Sequence, residues 1–327
     1  MMAQHRFFWL SIFLIASNLD AQVGNRDYDF DSQPNRIEDY RARSNLSNSY
    51  NRSSSLRRSD RGLVESDMGM QRPVKTKKSG FAYHVGFDTK LYYTDNVNSV
   101  PDDSSFHIPA GIWENAFRNQ FILGTFDLGG ASFMPQLGIN YSHFHHFGDD
   151  FFDSTDIDFG ALGINFSGVF QFSGGWSFKP DLAYSSTLTK GDVTYSQFSP
   201  SLALGKSFSM GSAKSFIEWS LGYHMTDARD QPITDKLDRV ETSLLWAIIV
   251  PLGNFELSPL ARLAYTDYSN QSRSDVSVNL GLQLAYSFTD WLSIKVYSNF
   301  TGKNSDKADY DFSRFDLGAG AYLKASF

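Results

Sequence analysis

The sequence predicts an all-β chain folded as a closed, antiparallel transmembrane β-barrel of twelve strands, preceded by a disordered N-terminal arm. Three observations predict it. From residue 80 onward, apolar and polar side chains alternate with a period of two, over runs longer than the usual strand of a soluble sheet. The number of runs is even, and the connections between them alternate short and long. The 327 residues are 16% aromatic and include 25 glycines, yet only 41% are hydrophobic and mean hydropathy is -0.32. Such an average is expected where a lipid face and a polar lumen face cancel.

Residues 1–21 have the three parts of an export signal. His5 and Arg6 give a positive start, Phe7 to Ala16 is an apolar run, and Leu19-Asp20-Ala21 offers a cleavage site. The run is too short for a membrane-spanning helix. There is no cysteine, which excludes disulfides, thiolate metal sites, a cysteine nucleophile and a lipid-anchored N-terminus. The mature chain is therefore expected to begin near Gln22, outside the cytoplasm.

Residues 22–79 carry 12 Lys/Arg against 8 Asp/Glu, with a Ser/Asn/Arg-rich stretch between Arg41 and Arg61 and no apolar periodicity. This composition reads as a disordered, net basic periplasmic arm or linker. Residues 80–327 carry 16 Lys/Arg against 27 Asp/Glu. A net charge of -7 for the whole chain argues against a nucleic-acid partner. For the basic arm the candidate neighbours are peptidoglycan, a periplasmic protein, anionic lipid or the acidic barrel itself, beside the commoner case of a solvated linker with no partner.

The last run shows the alternation most clearly. Phe315, Leu317, Ala319, Ala321, Leu323, Ala325 and Phe327 form one face, with Arg314, Asp316, Gly318, Gly320, Tyr322, Lys324 and Ser326 on the other. The run at 275–288 repeats it. The other ten are expected near 80–95, 115–128, 132–145, 157–172, 176–188, 194–209, 213–226, 238–251, 255–267 and 291–302. Connections after even strands are tight: Gly129-Gly130, Ser173-Gly174-Gly175, Met210-Gly211-Ser212, Leu252-Gly253-Asn254 and Thr289-Asp290. Those after odd strands are mostly longer and more acidic (96–114, 146–156, 227–237 and 303–313), with 189–193 and 268–274 as shorter exceptions. Short periplasmic turns and longer outside loops give this rhythm. A soluble β-sandwich also alternates, but nothing in it requires that parity, and a strand in hydrocarbon requires closure.

The export signal, the amphipathic strands and the terminal Tyr322-Leu323-Lys324-Ala325-Ser326-Phe327 resemble bacterial outer-membrane β-barrels. The resemblance covers about residues 80–327. It implies a Gram-negative outer-membrane location, with arm and C-terminus periplasmic, and contact with membrane lipid and lipopolysaccharide. It also implies that Phe327 belongs to an assembly signal read by the outer-membrane assembly machinery. Tyr92-Tyr93-Thr94-Asp95-Asn96-Val97-Asn98 is similar to the opening of porin-type barrels.

If Phe315 to Phe327 face lipid, the opposite set faces inward, because a Lys or Arg at the bilayer midplane costs about 2–4 kcal/mol. The rule places His84, Lys179, Asp181, His224, Glu241, Glu256 and Arg314 in the lumen. The candidate pore-lining residues are Asp88, Lys90, Glu218, Arg262, Lys295 and Asp316, all within strands. They either set the charge preference of a channel or pair across a narrow interior. Tyr92, Tyr297 and Tyr322 share the inward face. Lys206 falls on the lipid face and is expected to snorkel from its strand end. Two aromatic girdles are expected: Tyr83, Trp176, Phe178, Phe208, Phe288, Trp291 and Phe327 near the turns, and Tyr93, Phe121, Tyr141, Tyr184, Tyr223, Tyr265 and Phe300 toward the other side. Trp246 fits neither.

Chemistry-bearing motifs are sparse. His143, His145 and His146, followed by Asp149, Asp150 and Asp153, match no closed metal motif. His224 is the plausible general base, yet Ser220 lies about 13 Å along the same strand and Ser243 lacks an aligned third member. Phosphate-loop and dinucleotide fingerprints are absent. No enzyme activity, metal or cofactor is expected. The expected function is a passive outer-membrane channel for small hydrophilic solutes. The alternative is an anchor or docking protein that works through its basic arm, with a plugged barrel; a lipid-active hydrolase ranks behind both.

Overall fold

A computed structural model of the protein describes residues 81–105, 107–147, 158–228 and 237–327. The export signal, the basic arm and Asp149, Asp150 and Asp153 lie outside the described residues. Twelve long strands follow one another: β1 (Ala82–Thr94), β2 (Ala110–Ile122), β3 (Ala131–Phe147), β4 (Phe159–Phe172), β5 (Trp176–Thr189), β6 (Asp192–Met210), β7 (Ala213–Ala228), β8 (Arg239–Leu252), β9 (Phe255–Tyr268), β10 (Arg273–Ser287), β11 (Leu292–Ser305) and β12 (Phe312–Ser326). A two-residue piece, Phe126–Asp127, pairs with β3 after β2 ends.

Each strand pairs antiparallel with its neighbours in sequence, and β1 pairs with both β2 and β12. The sheet is therefore closed, as a strand array in hydrocarbon must be, since an open edge would leave a row of unsatisfied backbone groups. The seam runs from Thr94 opposite Asp316 to His84 opposite Ser326. It is extended by reciprocal backbone bonds between Tyr83 and Phe327, at 3.1 and 2.9 Å. Alternation thus continues to the final residue because the final residue pairs.

The large apolar side chains stand outward and exposed, among them Leu91, Phe117, Leu182, Leu202, Leu244, Leu280 and Leu317. The exterior is the lipid-contacting surface of an outer-membrane barrel. Three tryptophans on this face each donate their indole N–H to a hydroxyl on the next strand. Trp113 donates to Thr89 (3.0 Å), Trp219 to Thr242 (3.0 Å) and Trp246 to Ser215 (2.9 Å). This accounts for Trp246 outside the girdles. Ser215 points outward too, and the indole covers it completely while each satisfies the other in hydrocarbon. Lys206 lies with its ammonium 4.5 Å from the Trp176 ring at the turn end. There the charge gains a cation–π partner on the lipid face.

Most strand bounds shift by one to three residues from the sequence expectation, and two differences matter more. β2 spans 110–122 rather than 115–128, so the first outer loop shortens. Phe121 then falls at the turn end, stacked on Tyr83 at 4.5 Å, and belongs to the periplasmic girdle rather than the outer one. Ala110, Ile112, Glu114 and Ala116 turn inward while Trp113 and Phe117 turn out, and this facing fixes the strand's start. The connection expected at 189–193 contracts to Lys190-Gly191. Both residues have positive φ (53° and 90°), as a tight two-residue hairpin of type I′ requires. At Gly160 an added Cβ would lie 2.8 Å from the Tyr141 hydroxyl, so the ring rests directly over the glycine from β3.

Candidate functional site

The inward face is the candidate site, and the twelve strands deliver its side chains at regular depths. Asp88 and Lys90 on β1 face Glu114 and Arg118 on β2. Lys90 Nζ donates to Glu114 at 2.9 Å, and Asp88 lies 3.7 Å from Arg118 and 4.0 Å from Lys90. Lys295 on β11 sits 4.1 Å from the Tyr322 ring. Asp316 on β12 lies 3.3 Å from the Arg314 guanidinium, and Asn299 reaches it at 3.5 Å. Arg262 on β9 pairs with Glu241 on β8. Asp181 pairs with Lys179 at 3.8 Å and accepts from Asn165 at 3.1 Å. Glu218 on β7 lies in register between Gly205 and Leu245.

The six candidates therefore all lie on the inward wall, but not in one cluster. Asp88 and Lys90 form one group, Arg262 and Asp316 belong to separate ion pairs, and Lys295 and Glu218 lie on other strands. Glu114 was missed because the expected strand began at 115, past it; Arg118 lay within the expected strand but was not assigned to the lumen. Beside Glu218, the interior is not polar. Phe216, Leu245, Ala247, Ile249 and Leu260 form a buried apolar cluster on the lumen side of β7–β9. The run Leu244 to Val250 contains no polar residue, so alternation carried no facing signal there.

The described residues of the first outer connection, 95–105 and 107–109, fold against the inside of the rim. Val97 packs with Ala110 and Ile112 and against Tyr92, Ile108 and Phe144, all of them lumen-side or loop residues. Asn96, fully buried, donates to the carbonyls of Val100 (2.8 Å) and Ser313 (2.9 Å) and accepts from Val100 N–H. Ser313 donates to Asp102, and Arg314 donates to Ser99 at 3.1 Å. The loop is thus stapled to the start of β12 and narrows the outer mouth. Expected as an acidic outside loop, it is tied down because Val97 and Ile108 bury apolar surface against the inward side chains of β2.

Across the mouth lies a second polar layer, of which sequence reasoning had placed only His224 in the lumen. His224, Arg239, Tyr268 and Arg273 stand in one register row across β7 to β10. Arg239 donates to Gln197 at 2.8 Å and to the Leu237 carbonyl at 3.1 Å. The Arg273 guanidinium lies between the rings of Tyr268 (3.7 Å) and Tyr310 (3.9 Å). Both arginines are 1% exposed. Arg273 lies just before the run expected at 275–288, whereas Arg239 falls at the start of the run expected at 238–251; Arg239 and Glu241, or Arg273 and Asp275, share a face at spacing two.

His224 meets Ser199 rather than Ser220, with Oγ 2.9 Å from Nδ1 and the Gln197 amide nitrogen 3.1 Å from the same atom. Ser199 reaches it from the adjacent strand, a juxtaposition spacing within β7 does not reveal. Ser220 instead bonds Ser243 at 2.7 Å. At the outer end of β3, His145 Nδ1 is 2.6 Å from Asp158, which also accepts from the His146 backbone N–H at 2.8 Å. Burial raises the Asp158 carboxyl, but the hydrogen bonds from His146 and His145 outweigh it and hold the group below the usual carboxylate range. Among the described residues no group of three His, Asp or Glu is set to hold a metal.

No protein-family model matches the chain, and no curated protein matches it. Similarity is found among solved structures. An outer membrane channel from Pseudomonas putida F1 superposes with a TM-score of 0.51 at 11% identity, covering 80% of this chain and 100% of that one. The NanC porin gives 0.42 at 10% identity, covering 72% and 98%. The β domain of the Bordetella autotransporter BrkA gives 0.41 at 11% identity, covering 74% and 98%. At these identities the likeness is one of fold: a closed twelve-strand outer-membrane barrel.

Proposed function

We propose that the barrel is a passive channel for small hydrophilic solutes, working without a catalytic step, metal or cofactor. One observation carries this reading. Charged or polar side chains face inward at successive depths on β1, β9, β11 and β12, from His84 at the turn end through Lys90, Lys295 and Arg262 to Arg314 at the mouth, beside the apolar patch of β7–β9. Both signs are present, and a polar solute passing such a wall exchanges water for protein partners at each level. Asp88, Lys90, Glu218, Arg262, Lys295 and Asp316 would line the path. Phe327 would be read by the assembly machinery, and the exterior would meet lipid and lipopolysaccharide.

A second reading has its own observation. The Lys90–Glu114 pair, at 2.9 Å and buried, and the 95–109 loop packed inside the rim are what a barrel braced shut would use. The protein would then anchor or dock, contacting peptidoglycan or a periplasmic protein through residues 22–79. A lipid-active hydrolase ranks behind both: the Ser199–His224 contact faces the lumen, away from lipid. Conductance of the refolded protein in a planar bilayer, with and without residues 22–79, separates the readings. Discrete steps in both forms support the channel, and a flat current in both refutes it.

A further inference from the structure

The inward charges are not evenly distributed with depth. On β1 and β2 they balance, with Lys90 and Arg118 against Asp88 and Glu114. On β5 Lys179 balances Asp181. The wall formed by β8 to β12 differs in its outer half. Among the described residues, the inward side chains of these strands include five cations: Arg239, Arg262, Arg273, Lys303 and Arg314. Against them stand three carboxylates, Glu241, Asp275 and Asp316.

The local geometry shows the same surplus at close range. Arg273 Nε and Lys303 Nζ converge on one carboxylate, Asp275, at 3.2 and 3.4 Å. The remaining contacts of Arg273 are neutral: two tyrosine rings and the Gln271 amide oxygen at 3.2 Å. Its Nη2 is buried without a hydrogen-bond acceptor. Two cations sharing one anion, in a lumen enclosed by hydrocarbon, leave a positive potential that low-dielectric walls focus into the bore.

We infer that the outer vestibule selects for small anions, such as carboxylate- or phosphate-bearing solutes, through the positive potential of the β8–β12 wall. The inference rests on the channel reading and deepens it. Selection acts through the field rather than through one tight contact, so it weakens as salt shortens the screening length from about 10 Å at 0.1 M to about 3 Å at 1 M.

The test is the reversal potential of the full-length refolded protein under a KCl gradient around 0.1 M. The expected result is a chloride-to-potassium permeability ratio above one. Arg273→Gln and Lys303→Gln should each lower that ratio by about threefold, the effect of removing one charge at about 6 Å in water. Heat-modifiable gel mobility shows that each variant is folded, and Lys179→Gln, on the balanced wall, should change the ratio far less. A ratio at or below one in the conducting wild type overturns the inference and leaves the channel reading standing. Equal shifts from Lys179→Gln and Arg273→Gln overturn it as well. A protein that never conducts sinks the channel reading itself, and the inference with it.

Discussion

Leu202 and Ser201 are adjacent residues at the middle of β6, and they face opposite media. Leu202 points outward and is 44% exposed on the lipid-contacting surface. Ser201 points inward, in register with Asp181 on β5 and with Gly222 on β7. Leu202→Lys places an ammonium near the bilayer midplane at a cost of about 2–4 kcal/mol. It also forfeits part of the ~1.5–3 kcal/mol that an apolar side chain of this size gains by leaving water. The sum is a large share of the roughly 5–15 kcal/mol that holds an ordinary domain folded. Ser201→Lys instead places the same charge opposite a carboxylate, within a polar wall, and should change stability by about 1 kcal/mol or less. The assay is urea unfolding of each variant refolded into lipid vesicles, followed by tryptophan fluorescence. The Leu202→Lys variant should lose most of its midpoint while the Ser201→Lys variant stays near wild type. Equal losses, or the larger loss at position 201, would refute the assignment of faces and with it the placement of every lumen residue.

Three further outcomes are expected. Ser215→Ala strands the Trp246 indole N–H in hydrocarbon and should cost about 1–3 kcal/mol, much of it recovered when Trp246→Phe is added; additive losses in the double variant would count against the pair. The Asp158 carboxyl sits below its usual range, so its contribution is complete above the unperturbed carboxylate value and is lost as pH falls through its lower folded value. The protection factor of the His146 amide, its exchange corrected for the intrinsic dependence on pH, should fall on acidification in wild type, whereas Asp158→Asn should remove that fall. Deleting Phe327 removes two backbone bonds to Tyr83 and a ring stack at 6.1 Å, a loss of about 1–3 kcal/mol that should only modestly lower refolding yield in detergent. Outer-membrane levels in cells should fall far more if the residue is an assembly signal, and parallel losses in both measurements would indicate simple destabilisation of the seam.

Local alternation carried most of the architecture. The period of two, the even strand number and the turn glycines are properties of short stretches of chain, and membrane physics leaves few ways to assemble them. Asp88, Lys90, Lys295 and Asp316 were placed inward from sequence because a charge in hydrocarbon is so costly that one apolar neighbour on either side settles its face. The same signal fails where both faces are apolar, as from Leu244 to Val250, and there only packing decided that Leu245, Ala247 and Ile249 turn inward.

Partnership across strands was beyond local reading. Ser199 meets His224, Trp246 meets Ser215 and Arg273 lies between Tyr268 and Tyr310 because neighbouring strands bring distant residues into one row, and register depends on every turn length at once. The rim was hidden for a related reason. A loop that folds back against the lumen and a strand that begins five residues early both depend on apolar surface elsewhere, the inward side chains of β2, which cover Val97 and set the start at Ala110. Sequence alone determined a closed barrel with a polar interior, because hydrocarbon imposes that solution on each strand separately. The unequal charge of its two walls and the narrowing of its mouth were decided only in the tertiary structure, where side chains from five strands share one space.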